Sequence, residues 1–508
     1  MPEFSEAFSN IEGRPTMQVA ALDIGSNSFH LVIARIVAGS VQILHRVKQK
    51  VRLADGLDAQ NRLSEEAMQR GLDTLQIIAE SLKGFEPDTV RIVATYTLRK
   101  AKNAKDFIRA AKKILPYPIE IISGIEEARL IYSGVAHTVQ NNGQRLVVDI
   151  GGGSTEFIIG DGFESKMMRS LQMGCVSYTK RFFEDGVLSS VAFKKAATAA
   201  QQELELIDAK YLKLGWRHCI GTSGTIKAIV LLAQSLSEGN PEGFVTLDNL
   251  KELRNKCISA GHIKDLKLAV TEDRVPVLAA GLSILIGIFK SLKIQTMEYS
   301  AAALREGVIY EMEEQLAHHD IRERTAQSLA TRYDVDVDQA KRVHDITMLV
   351  YEQCKKSWKI SGREHRNMLS WAALLHEVGL QINSRGVQRH SGYILQNVDL
   401  HGFNQEQQIL LSVLARFHRK KLRPEELHEF WQFDSDAVKK LIIILRMGVL
   451  LNIKRQDNIL PEFTISVDEQ FMQITFPKDW LEGKPIFSAD LASEAGYLTA
   501  LDYKLSFS

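Results

Sequence analysis

DIGGGSTEFIIG, residues 149–160, reads as the end of one β-strand, a glycine turn and the start of another. Upstream, DIGSNSFHLVIA, residues 23–34, has the same form, and the two aspartates, Asp23 and Asp149, stand 126 residues apart. The repetition extends beyond the phrase. VAALDIG, SFHLVIARIV and SVQILHRVKQKVRL read as a three-strand antiparallel meander. A helix from Ser64, a strand VRIVATYT (90–97), a helix around 103–115, a strand PIEIISG (118–124) and a helix over 126–139 follow. Ser64 suits an N-cap, with Glu65 and Glu66 in the first turn. The pattern restarts at RLVVDIGGGSTEFIIGDG with a third strand around KMMRSLQMG, a helix SSVAFKKAATAAQQELELI, and WRHCIGTSGTIKAIVLLA as strand, turn and helix. A duplicated α/β unit commonly holds its ligand in the cleft between the copies.

The turns suggest which ligand. Gly25 lets the chain turn sharply, so that backbone N–H groups and the side chains of Ser26, Asn27 and Ser28 can face one anion. Gly151, Gly152 and Gly153 allow close approach to a phosphate, with Ser154 and Thr155 as further donors. A third turn, Gly221, Thr222, Ser223, Gly224 and Thr225, opens a helix whose N-terminus favours anions. Each turn alone is weak evidence; matched turns on duplicated units are stronger. Asp149 and Glu156 flank the second turn and can hold Mg²⁺, which binds one or two carboxylates together with phosphate oxygens. A turn-capping aspartate is the competing reading of Asp149, and Asp23 repeats its place in the first copy. Glu126 and Glu127 follow a strand at the expected cleft edge, where a carboxylate can take a proton from water. Helix-start acids are the plainer alternative. Arg99 in ATYTLRKA is a candidate phosphate clamp or a solvated surface arginine.

The chain has 508 residues, too many for one core, with 45% hydrophobic and 25% charged residues, an ordinary globular balance. A formal charge of +1 provides no global attraction for nucleic acid. Cys175, Cys219, Cys257 and Cys354 show no CxxC spacing and read as buried thiols in a reducing compartment. VPVLAAGLSILIGIF (275–289) is too short to span a bilayer and contains Pro276, so a buried helix is expected. Residues 1–16 carry no signal-type apolar run and read as a flexible leader. The expectation is a cytoplasmic protein without an integral membrane segment, peripheral association at the inner membrane being compatible with it.

DIGSNS, ATYTLRKA, ISGIEEARLIY, VVDIGGGSTEFIIG, MGCVSYTKRFF, GTSGTIKA and SAAALREGVIYEM together resemble the exopolyphosphatase/guanosine-pentaphosphate phosphohydrolase family, along the whole chain. The resemblance implies an α/β protein of duplicated ribonuclease-H-like domains (the actin-like superfold). A mostly helical HD-like domain and a small C-terminal unit would follow. The expected domains are residues 17–130, 131–312, 313–460 and 461–508. The implied reaction is Mg²⁺-dependent attack of water on the terminal phosphoryl group of linear inorganic polyphosphate. Guanosine pentaphosphate is the alternative substrate; an actin-like ATPase and a non-catalytic polyphosphate sensor are further readings. The resemblance suggests Glu127 as general base rather than Glu126, Asp149 and Glu156 on Mg²⁺, and Arg99, Ser26–Ser28, Gly151–Thr155 and the 221–225 turn on phosphates. It also implies a homodimer.

LLHEVGL (374–380) resembles the LLHDIG signature of HD phosphohydrolases, with His344 and His376 in the histidine places. Glu377 replaces the aspartate and Val449 stands where the last aspartate belongs, so an inactive relative is expected, with His344, His376 and His390 as core or interface residues or as substrate contacts. RFHRKKLR (416–423) is a basic run. It is either a solvated surface or a track for a long polyanion, with Arg419, Lys420, Lys421 and Arg423 as the candidates.

Overall fold

The computed structural model describes residues 17–37, 40–139, 143–236, 244–266, 274–316, 321–398, 400, 402–457 and 459–508. The expected leader, residues 1–16, lies outside them. The chain divides into two compact units, Met1–His319 and Asp320–Ser508.

The described residues of the first unit form two sheets. One contains β1 (Met17–Ile24), β2 (Ser28–Val37), β3 (Ser40–Lys50), β4 (Val90–Ala94) and β5 (Ile119–Ile121), in the order β3-β2-β1-β4-β5. The other contains β6 (Arg145–Ile150), β7 (Thr155–Asp161), β8 (Glu164–Leu171), β9 (His218–Thr222), β10 (Phe244–Thr246) and β11 (Thr296–Tyr299), in the order β10-β11-β9-β6-β7-β8. In each, the first three strands form the antiparallel meander and the first strand pairs in parallel with the fourth. This is the duplicated ribonuclease-H-like arrangement of the actin-like fold. β6 is buried along its whole length, as a central strand covered on both faces should be, and its Leu146–Val148 run is apolar on both faces while Asp149 is held in the interior.

Local signals set several elements. Ser64 caps the Glu65–Ser81 helix by accepting a hydrogen bond from the Ala67 amide at 3.3 Å. The strand expected over 90–97 ends at Ala94, because the chain leaves the sheet at Thr95 and coils into a short helix, Tyr96–Lys100, that carries Arg99. A helix over Cys175–Phe182, between the third strand and the Ser190–Leu204 helix, was not expected from the sequence.

The helices closing the two copies exchange sheets. Gly124–Thr138 packs on β7 and β8, whereas Leu304–Leu316 packs on β1 and β2, and the two helices cross each other. At the crossing a Cβ on Gly134 would lie 2.8 Å from the Gly307 amide nitrogen, so the backbones touch and only glycine fits. The boundaries expected at 130 and 312 therefore fall inside helices; a repeat in sequence does not show which sheet its last helix covers.

The second unit is helical over Ile321–Arg332, Val337–Cys354, Arg363–Leu375, Val387–Asn397, Gln405–Phe417 and Ser435–Leu451. A small sheet, β12 (Thr464–Asp468), β13 (Phe471–Thr475) and β14 (Lys504–Phe507), shares its core: Trp358 meets Tyr503 edge-on at 5.8 Å. The expected separate unit at 461–508 is thus part of the helical one. Residues 277–289 are buried within the Val275–Ser291 helix, and no helix among the described residues is long and apolar enough to cross a membrane. All four cysteines are buried and free of disulfides.

Candidate active site

The two glycine turns meet. A Cβ on Gly152 would lie 2.8 Å from the Ser26 Cβ, so the second turn can approach the first only without a side chain. The first turn is held by the loop after β3: Val51 and Arg52 amides donate to the Asn27 carbonyl at 3.0 and 2.8 Å, and Ala54 donates to Ser26 at 3.0 Å. Thr97 donates to Ser26 Oγ at 2.8 Å. The second turn is held by the unforeseen Cys175–Phe182 helix, whose first amides donate to the Gly151 and Gly152 carbonyls. Thr155 spends its hydroxyl on the Met173 carbonyl, which corrects its expected role as a ligand donor.

Strand register sets a polar row beneath the turns. Thr222, Asp149, Glu156 and Ser170 are successive partners on β9, β6, β7 and β8, so their side chains share one face. Thr222 donates to Asp149 Oδ2, and Ser170 donates to Glu156 Oε1 at 2.8 Å. Thr222 thus orients a carboxylate; the expected phosphate contact is corrected. Ser223 accepts from the Ile226 amide at 3.4 Å as a helix cap, while Gly221 is packed against Ile226 and Met297. The third turn is therefore mainly structural in its side chains.

Glu127 and Glu126 part company within one helical turn. Glu127 faces the acid cluster and accepts from both terminal nitrogens of Arg99 at 3.2 Å; Arg99 also donates to the Ile122 carbonyl at 2.7 Å. The expected phosphate clamp is thus first a partner of the expected base. Burial raises the Glu127 pKa, Arg99 opposes this, and Asp149 raises it further. Glu126 is 1% exposed and bound by Arg129 at 2.8 and 2.7 Å, and Arg129 also reaches Glu311 at 2.8 Å. Glu126 is a structural ion-pair member, which removes it as a catalytic candidate.

Two site residues escaped the sequence reading. Arg305, on the exchanged Leu304–Leu316 helix, donates to His30 Nδ1 at 2.6 Å. Its charge acts on Asp23 and on Asp149. His30 pairs with Asp23 as Glu156 pairs with Asp149, seven residues after the aspartate in both copies. That spacing was the available signal. Burial, then Arg305, Lys48 and Arg274, hold the His30 pKa down to about 2, so the ring is neutral.

Four buried polar atoms here lack a hydrogen-bond partner among the described residues: Asp23 Oδ1, Ser28 Oγ, Glu156 Oε2 and Arg305 Nε. Burial raises Asp149 and Glu156, and the latter is raised further by Glu127 and Asp149. The orphaned carboxylate oxygens lie on Asp23 and Glu156, and the one on Glu156, beside Asp149, leaves an unsatisfied acceptor that a divalent cation could take. No group of three His, Cys, Asp or Glu among the described residues could hold a metal ion by itself. Asp23 is raised from 3.8 to about 7 by burial, against Arg305 and with Glu127, Asp149 and Glu306. Its contribution to stability is full below pH 3.8 and is lost as pH rises through about 7. In metal-free buffer Asp23→Asn should match the parent near pH 4 and exceed its stability by about 4 kcal/mol at pH 8. Denaturant titration at the two pH values checks this.

In the second unit, Arg455 takes both oxygens of Glu377, at 2.5 and 2.6 Å, and also Asp336 at 3.0 Å. A guanidinium thus neutralises the carboxylate that stands in the HD-like aspartate place. His376 is buried beside His418, ring centres 5.0 Å apart; His344 bonds Ser370 at 3.1 Å; His390 is half-buried and Val449 packs on the core. In the basic run, Arg423 pairs at the surface with Glu426 at 2.9 Å, as does Arg416 at 2.8 Å. Arg419 is half-buried, and Lys420 and Lys421 are exposed.

Residues 32–316 match the Ppx/GppA phosphatase family, and residues 321–495 match domain III of the Ppx/GppA phosphatases. A guanosine-5'-triphosphate,3'-diphosphate pyrophosphatase of Aeromonas hydrophila is 42% identical over 478 residues, 94% of this chain and 95% of that protein. Among solved structures, an exopolyphosphatase from Cytophaga hutchinsonii is 26% identical, covering 59% of this chain and 98% of its own, with TM-score 0.53. An exopolyphosphatase-like protein, 24% identical over 59% of this chain and 99% of its own, shares the fold with TM-score 0.54. Both units of the fold are accounted for by one family: the chain belongs to the Ppx/GppA phosphatases, hydrolases of phosphoric anhydrides.

Proposed function

We propose that the chain removes the 5′-terminal phosphate of guanosine pentaphosphate, with linear inorganic polyphosphate as a second substrate. The Aeromonas relative's name supports placing the nucleotide first, which reverses the order expected from the sequence. The observation that carries the chemistry is Glu127, a carboxylate of raised pKa held by Arg99 beside Asp149, at the foot of the second of two glycine turns that meet.

In this reading the terminal phosphoryl group lies between the turns, against the backbone of Gly151–Ser154 and Ser26–Ser28. Glu127 accepts a proton from water as its oxygen attacks phosphorus. The anhydride P–O bond breaks and the electron pair leaves on the departing phosphate oxygen. Arg99 holds Glu127 in line. Arg305 places positive charge beside His30 and Asp23 where phosphate oxygens gather charge. The transition state is loose, so alignment and charge neutralisation carry the rate. Mg²⁺ on Asp149 and Glu156 supplies part of that neutralisation when bound. A homodimer, and Lys420 and Lys421 as contacts of a long polyphosphate, belong to the same proposal.

Phosphate release from guanosine pentaphosphate and from polyphosphate, with Mg²⁺ present, tests the reading. Greater kcat/KM on polyphosphate would restore the other order. Release from neither, with binding retained, would leave a sensor, and rapid ATP turnover would favour an actin-like ATPase. Because Thr222 orients Asp149, Thr222→Val should raise the Mg²⁺ concentration for half-maximal activity by about 10–100-fold. A Mg²⁺ titration of the initial rate reads this directly.

A further inference from the structure

A cleft of about 680 Å³ opens beside the first turn, lined among others by Lys50, Arg52, Ser64 and Arg70. Its wall is the loop after β3, whose Val51 and Arg52 amides bind the Asn27 carbonyl. The cleft therefore adjoins the turn that faces the terminal phosphoryl group.

Lys50, Arg52 and Arg70 have no carboxylate partner among the described residues, although Asp55 and Glu66 line the same cleft. Arg70 is spent on the carbonyls of Val51 and Arg52, at 3.2 and 3.3 Å, and so shapes the loop. Lys50 and Arg52 keep their charge for another partner. Arg52 also holds φ 51 and ψ 48, a left-handed conformation. For a non-glycine residue that conformation is strained, and asparagine or glycine would adopt it more readily. A functional side chain offsets such a cost.

The strands connect this cleft to the reacting centre. Lys48 is the register partner of His30, and Lys50 that of Ser28. Alternate β3 residues share a face, and the chain advances about 3.3 Å per residue. Positive charge therefore runs from Arg305 and Lys48 at the reacting end to Lys50 and Arg52 in the cleft. A substrate with a second phosphate group away from the cleaved one needs such an arrangement. An isolated 5′-triphosphate does not.

We infer that the cleft lined by Lys50 and Arg52 binds the 3′-diphosphate of the nucleotide, an inference that rests on the nucleotide reading above. Binding of the product, guanosine 5′-diphosphate 3′-diphosphate, is compared with that of GDP by calorimetric titration of the full chain, which needs no turnover. The parent should prefer the 3′-diphosphorylated nucleotide by about tenfold or more, as two charge-assisted contacts require. Lys50→Gln combined with Arg52→Asn, where asparagine tolerates the left-handed backbone, should lose most of that margin. Arg52→Lys alone should keep most of it. A damaged fold would weaken both nucleotides together. A margin unchanged while GDP affinity is kept, or none in the parent, overturns the subsite. Absence of hydrolysis with the margin present would overturn the catalytic reading and leave the subsite standing.

Discussion

Glu127→Gln should lower kcat by about 10²–10⁴-fold, the usual worth of a positioned general base. Glutamine keeps the side-chain length, and its carbonyl oxygen can still accept from Arg99, so the first turn of the Gly124–Thr138 helix should hold its shape. What disappears is the proton acceptor, and the loss should fall on kcat with KM changed little. The pH profile separates this from a structural effect. Burial and Asp149 raise the Glu127 pKa above the ordinary 4.5, while Arg99 lowers it. A base works deprotonated, so activity should rise with pH through that raised value, and Arg99→Met should move the rise to higher pH. Glu127→Gln should erase the limb. Turnover within threefold of the parent would pass the role to another carboxylate, with Asp23, raised to about 7, next in line.

How far the site could be read in advance depended on whether a residue's partners were local. Asp149 and Glu156 flank one turn and are register partners, so strand alternation alone placed them on one face. The two turns were legible because glycine next to hydroxyl residues leaves few conformations. Spacing did not separate Glu126 from Glu127, and only the family resemblance favoured Glu127; the structure shows Glu126 consumed by Arg129, one turn on, in a network closed by Glu311 from a helix far along the chain. Arg305 was invisible for the same reason. It lies 275 residues from His30 and arrives on a helix that crosses to the other sheet. Thr155 and Thr222 were assigned to the ligand by residue type, whereas their hydroxyls meet Met173 and Asp149 inside the protein. A hydroxyl beside a glycine turn is a donor in any sequence; what it donates to is settled by packing.

The same buried network carries the other large effect. Arg129→Met should destabilise the protein by about 3–5 kcal/mol, the cost of removing one partner from a buried ion pair. Arg129 is 8% exposed, binds Glu126 through two nitrogens, and shares Glu311 with Arg91, which reaches it at 2.7 Å. Methionine has similar length and no charge, so packing along the stem is largely kept. Burial pushes the Glu311 pKa up, but Arg129 and Arg91 outweigh it and hold the group at about 2. A lowered carboxylate pKa stabilises above its ordinary value of 4.5, and that stability is lost as pH falls through about 2. The gap between parent and variant should therefore be widest above pH 4.5 and narrow on acidification. Urea titrations at pH 7 and pH 3 read both quantities, and a constant gap or one below about 1 kcal/mol would show the network to be neutral. Function should follow stability here for a geometric reason. Glu126 precedes Glu127 on one crossing helix, and Glu311 shares the other with Arg305, so the ion pair that joins these helices helps set the distance between Glu127 and Arg305.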